Sequence, residues 1–223
     1  MLIVKCNIVI QLYFGLMKNK GQTGRIKKES GMEINDFLQI FTSEDMSVGY
    51  ISGSDKVLFI KTGQGGSIYG YDNRYLNLAT QVNKKYGYSV FVSATTIDTK
   101  ESFHRDIQTI EKCLGTPVFE IYYLGVSKGG LIGIWHGCDE PRIKKMVSIN
   151  APLMINYHGK TLPGVKKLGT DRLTMVYGSL DPSYKYVPFV EKCANVQIIE
   201  GADHNLLGSP LTLFEIIRPC LLH

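Results

Sequence analysis

Four consecutive apolar residues, Val57-Leu58-Phe59-Ile60, constrain this chain more than any other stretch. A strand with one wet face alternates apolar and polar side chains, so an unbroken apolar run this short reads as a strand covered on both faces. Strand-like runs return at residues 88–92, 119–124, 145–149, 173–177 and 196–199. Between them lie segments of helical period at 72–86, 101–114, 131–136, 184–193 and 211–217. The second of these carries Phe103, Ile107, Ile110 and Leu114 on one stripe. Residues 151–171 read as irregular. Strands that alternate with helices imply a doubly wound, mostly parallel α/β sheet with helices on both faces. Two leading strands, at 37–41 and 47–52, would add an antiparallel edge. In such sheets ligands sit at the carboxyl ends of the strands.

Composition narrows the function classes. The 223 residues suit one domain, and neither a fixed-period repeat nor an uninterrupted apolar run of bilayer-spanning length occurs. The net charge of +5 is local: residues 1–31 hold six cations and one anion, and residues 32–223 hold nineteen of each. A neutral body without a basic stripe argues against nucleic acid as a partner. Cys6, Cys113, Cys138, Cys193 and Cys220 are scattered, with no metal-type C-x-x-C pair, so reduced thiols in a cytoplasmic protein are expected.

Residues 1–31 read as an N-terminal extension, and residues 32–223 as the single folded domain. Residues 1–17 are apolar but interrupted by Lys5, Asn7 and Gln11, and their cations follow the apolar stretch instead of preceding it. That order does not suit a secretory signal, and contact with a membrane through this segment is the weaker reading. A start at Met17 or Met32, or a strand added to the sheet, accounts for it better.

The chemistry concentrates in loops that follow the strands. Gly63-Gln64-Gly65-Gly66 invites a dinucleotide reading, but the G-x-G-x-x-G fingerprint requires glycine at position 68, which is Ile68. Gly125-Val126-Ser127-Lys128-Gly129 matches G-x-S-x-G. The pattern would arise by chance about 0.15 times at this composition, so its context decides. A strand runs directly into it and an apolar helix leaves it, as a strained turn presenting a nucleophilic serine requires.

A serine hydroxyl needs a base, and the base needs an orienting group. Asp181 follows the strand ending at Tyr177, and His204 follows the strand ending at Ile199. His104 and His136 fall inside helices and read as surface or packing residues. Asp139 reads as a turn, and Asp203 as a loop or capping residue pointing away from its neighbour His204.

From about Val57 to Leu207 the chain resembles the α/β-hydrolase family, with the serine turn, the acid loop and the histidine loop in register. The resemblance implies Ser127 as nucleophile, His204 as general base and then acid, and Asp181 as the carboxylate holding the imidazole. It implies an oxyanion hole made by the backbone N–H groups of Lys128 and Gln64. The family's loop often begins His-Gly, whereas Thr62-Gly63 stands here, which keeps the backbone donors and loses any role of that histidine. Tyr69 and Tyr71 would line the mouth of the site, and His158 could touch substrate from the segment before residue 173. That segment is short for a mobile lid, so a minimal cap is expected. The implied activity is cleavage of a small soluble ester or thioester through an acyl-enzyme, with a small acyl compound as partner and no cofactor or metal required. Acyl transfer or peptide cleavage on the same triad, and a non-catalytic binding module, are the alternatives.

Overall fold

The apolar run Val57–Ile60 sits near the middle of the sheet. In the computed structural model, which describes residues 38–43, 46–95 and 97–222, all four of its side chains are fully buried. Residues 1–31, with the readings placed on them, lie outside the described residues, as does Phe37. In chain order the strands are β1 (Leu38–Ser43), β2 (Met46–Ile51), β3 (Ser54–Lys61), β4 (Tyr88–Ser93), β5 (Glu120–Val126), β6 (Ile143–Ile149), β7 (Leu173–Gly178) and β8 (Asn195–Ile199). The helices are α1 (Arg74–Tyr86), α2 (Lys100–Leu114), α3 (Lys128–His136), α4 (Leu162–Arg172) and α5 (Leu213–Leu221).

The strands form one sheet in the order β1-β2-β4-β3-β5-β6-β7-β8. β4 to β8 run parallel through β3, while β1 and β2 pair antiparallel as an edge beyond β4. Alternate residues of each central strand serve opposite faces. Phe59, Phe91, Tyr123, Met146 and Tyr177 join a core with Phe103 and Ile107 of α2, Ile134 of α3 and Val165 of α4. Leu58, Ile60, Val92, Leu124 and Val147 join a second core with Leu76 and Val82 of α1 and Ile216 and Ile217 of α5. The expected doubly wound α/β sheet is what forms.

Two segments depart from expectation. Residues 151–171, read as irregular, contain all but the last residue of α4, which has Pro163 in its first turn and bends at Gly169 (φ 65°). A β-carbon on Gly164 would lie 2.2 Å from the Ile134 carbonyl oxygen, so this helix packs directly on the backbone of α3. Gly164 serves that close approach and Gly169 the left-handed bend, and both disguise the helix in sequence. The helix expected at 184–193 is a 3-10 turn, Tyr184–Phe189, followed by further turns. Pro188 has no N–H to extend an α-helical ladder there. Among the described residues no helix is long and apolar enough to cross a membrane.

Candidate active site

Because β3, β5, β7 and β8 are parallel, the loops after them emerge on one edge of the sheet. Ser127 is the single residue between β5 and α3, with φ 52° and ψ −120°, a conformation costing a side-chain-bearing residue about 1–3 kcal/mol. The surroundings hold it there. Its N–H donates to the Ile149 carbonyl at 2.8 Å. A β-carbon on Gly125 would lie 2.6 Å from the Gly129 carbonyl oxygen, and one on Gly129 would lie 2.2 Å from that of Lys61. Strand, turn and helix can close this tightly only with hydrogen at both positions.

Asp181 ends a turn after β7 in which its N–H donates to the Gly178 carbonyl at 3.0 Å. Its carboxylate is buried; Oδ1 accepts from the Ser183 N–H at 2.6 Å, and Oδ2 is hydrogen-bonded to His204 Nδ1. A carboxylate only accepts, so Nδ1 of the neutral ring carries the proton and Nε2 is left as an acceptor. That Nε2 lies 3.0 Å from Ser127 Oγ. The three residues singled out in sequence therefore form one continuous chain of hydrogen bonds, with the imidazole still 42% exposed.

The glycine loop lies against the same serine. A β-carbon on Gly63 would come within 3.1 Å of Ser127 Cβ and 3.7 Å of Oγ. The Thr62 N–H is engaged by the Ser93 carbonyl (3.0 Å) and the Gly66 N–H by the Gly63 carbonyl (3.1 Å). Between these two engaged N–H groups lie Gly63, Gln64 and Gly65, with Gln64 central. Lys128 opens α3, where helix geometry leaves its N–H without an acceptor inside the helix. Its ammonium meets the Asp98 carboxylate at 3.2 Å.

The remaining candidates are more peripheral. Tyr69 is half-buried against the α1–α5 core, and Tyr71 is 66% exposed on the rim of a groove shared with Asn205 and Leu207 of the histidine loop. His158 is exposed on the turn before α4, its ring T-shaped to that of Tyr157. His136 contacts the Asp98 carbonyl, His104 is exposed, and Asp139 pairs with Lys167. Asp203 accepts from the N–H groups of Asn205 (2.8 Å) and Leu207 (2.9 Å), and so caps the histidine loop.

No protein-family model matches the chain, and no curated protein matches it by sequence. Solved structures do match in fold. Est1E from Butyrivibrio proteoclasticus superposes with a TM-score of 0.63 at 16% identity, over 84% of this chain and 98% of that one. An alpha-beta serine hydrolase homologue from Coxiella burnetii gives 0.58 at 16%, over 86% and 100%. XC6422 from Xanthomonas campestris, described as an a/b serine hydrolase without lid, gives 0.56 at 10%, over 78% and 87%. The chain has the α/β-hydrolase fold.

Within that α/β-hydrolase fold, two buried polar groups escaped the sequence reading. Lys61, the last residue of β3, is fully buried, and its ammonium contacts Asp106 of α2 at 2.5 Å and Ser93 at 3.0 Å. Burial pushes the Asp106 carboxyl up, against the pull of the Lys61 ammonium. A signal for it existed, because position 106 falls on the same apolar stripe as Phe103, Ile107 and Ile110. The second is Asn150, the residue after β6, fully buried with φ 49°. Nothing in the sequence marks it, since its partners are backbone groups far along the chain.

Proposed function

We propose that the protein is a serine hydrolase that cleaves a small carboxylic ester or thioester through an acyl-enzyme. One observation carries the reading: the hydrogen-bonded chain from Ser127 Oγ through His204 to the buried Asp181 carboxylate. In this reading His204 Nε2 takes the hydroxyl proton as Ser127 Oγ attacks the acyl carbon. The N–H groups of Lys128 and Gln64 receive the developing oxyanion, a contribution typically worth about 3 kcal/mol for each donor. The imidazolium then gives its proton to the departing alcohol or thiol, and the ester bond breaks. Water, deprotonated by the same Nε2, attacks the acyl-enzyme, and collapse returns the proton to Ser127. Asp181 keeps the ring in the required tautomer and stabilises the imidazolium throughout. Each step runs on groups of this chain. Tyr69, Tyr71 and His158 are the side chains assigned to the substrate's path.

The test is hydrolysis of short p-nitrophenyl esters by the wild type beside Ser127→Ala. Turnover is expected to fall by at least about 10⁴-fold in the variant, since loss of a triad nucleophile removes the covalent route. A fluorophosphonate should label the wild type stoichiometrically and leave the variant unlabelled. Activity equal in the two proteins overturns the assignment. Labelling with turnover only in the presence of an added acceptor identifies an acyltransferase instead.

A further inference from the structure

We infer that Asn150 is a positioning residue that sets the base and the acid of the site against the nucleophile. The inference rests on the serine-hydrolase reading above. It starts from an energetic oddity: a primary amide at the end of an apolar strand, with none of its surface exposed. An amide in such a place is destabilising unless its donors and acceptor all find partners.

They do, and the partners are informative. Oδ1 accepts from the Gly178 N–H at 2.9 Å. Nδ2 donates to two carbonyls, those of Asp203 (3.1 Å) and His204 itself (2.8 Å). The network also fixes which end of the amide is which, because a flipped group would aim oxygen at two carbonyls. Gly178 begins the turn whose last residue is Asp181, through the bond from the Asp181 N–H to the Gly178 carbonyl. One side chain therefore holds the backbone of the histidine and the root of the acid turn.

The strand end that carries Asn150 also holds the nucleophile. Ile149, its neighbour, accepts the Ser127 N–H through its carbonyl, and the Asn150 N–H continues the ladder to Val176. All three catalytic residues are thus referenced to two adjacent residues at the carboxyl end of β6. The left-handed backbone at position 150 suits asparagine, which tolerates it better than most side chains. An apolar residue there would leave the Gly178 N–H and the two carbonyls of the histidine loop without this partner, and the loop would settle elsewhere.

Two variants test the inference. Asn150→Ala removes all three bonds. Asn150→Asp keeps volume and the acceptor for Gly178, but sets a carboxylate oxygen against the two carbonyls, which guards against a collapse caused by a cavity alone. Each is assayed with p-nitrophenyl esters well below its own melting temperature. Both should lose about 10- to 100-fold in kcat with KM within about threefold, as displacement of a catalytic group by an ångström or less requires. A second readout needs no substrate: the downfield proton resonance expected of the His204–Asp181 hydrogen bond in the wild type should be lost or displaced in both. Folded variants that keep wild-type kcat and that resonance, losing only melting temperature, reduce Asn150 to a stabilising residue and overturn the inference. A wild type with neither the resonance nor activity dependent on Ser127 would instead sink the serine-hydrolase reading itself.

Discussion

The two sides of the site are held in place by different physics. On the side of the acid and the base, side chains reach into the loops: Asn150 bonds the backbone of His204, Asp203 caps the turn behind it, and Ser179 bonds Glu200 and the Gly201 N–H. On the oxyanion side, the nearest polar network, Lys61 with Ser93 and Asp106, ends one residue short of the glycine loop. Among the described residues the loop keeps only local bonds to the Gly63 carbonyl, from the Thr62 hydroxyl and the Gly66 N–H. Its distance from the serine turn is set by contact, with Gly63 against Ser127 and Gly129 against the carbonyls of Lys61 and Thr62. A base must be aimed, and hydrogen bonds supply direction. An N–H pair that receives an oxyanion must be spaced, and close backbone packing supplies spacing. The first side should therefore fail when a donor is removed, and the second when an atom is added.

Lys61→Met probes the boundary between the two most severely. It leaves the Asp106 carboxylate buried without its cation, and a stability loss of about 3–5 kcal/mol is expected in chemical denaturation. The sign of its pH dependence follows from burial, which holds the folded-state pKa of Asp106 above its unfolded value. The loss should be smallest at low pH, where the carboxyl is neutral, and should grow as pH rises through the folded-state pKa. Adding Asp106→Leu should recover most of it. Because the network stops short of the loop, kcat of the folded single variant should stay within about threefold of wild type. A larger drop would show that the pair also steers the oxyanion donors.

Gly129→Ala comes next. Its new methyl meets the Lys61 carbonyl at 2.2 Å and separates the glycine loop from the serine turn. A stability loss of about 1–3 kcal/mol should accompany a fall of roughly 100-fold in kcat. Gly164→Ala is the control, since it creates an overlap of the same 2.2 Å against Ile134 but away from the reacting groups. It should cost comparable stability and leave kcat of the folded protein nearly unchanged. If both glycine variants lose activity alike, the contrast between the two sides fails.

The smallest effect should come from Lys128→Ala. Its ammonium forms a partly exposed pair with Asp98, worth less than about 0.5 kcal/mol in melting experiments. The group proposed to act in catalysis at this position is a backbone N–H, which alanine retains, so kcat should change by less than twofold.

What was legible in the sequence divides along the same line. Ser127, Asp181 and His204 could be named because each follows an apolar strand and sits in a turn with its own chemical signature. The doubly wound sheet was legible because Val57–Ile60 and its counterparts leave few alternatives. Helix α4 was hidden because Pro163, Gly164 and Gly169 read as loop residues, although Gly164 answers to the Ile134 backbone, a tertiary contact. Asn150 was hidden for a stronger reason. Its partners lie 28, 53 and 54 residues away and are all backbone atoms, so no residue type at those positions betrays the bond. Asp106 was the intermediate case, a charge on an otherwise apolar helix stripe whose partner only the fold could name.

The backbone of Ser127 has one more consequence. Its φ of 52° and ψ of −120° suit glycine far better than serine, so the chain carries a local penalty where the hydroxyl must stand. Replacing that one residue with glycine would relax the turn, raise the melting temperature and remove the proposed nucleophile together. Thermal robustness and reactivity pull in opposite directions at this position. A search for sturdier variants, run without an activity screen, would be drawn to the one substitution that silences the site.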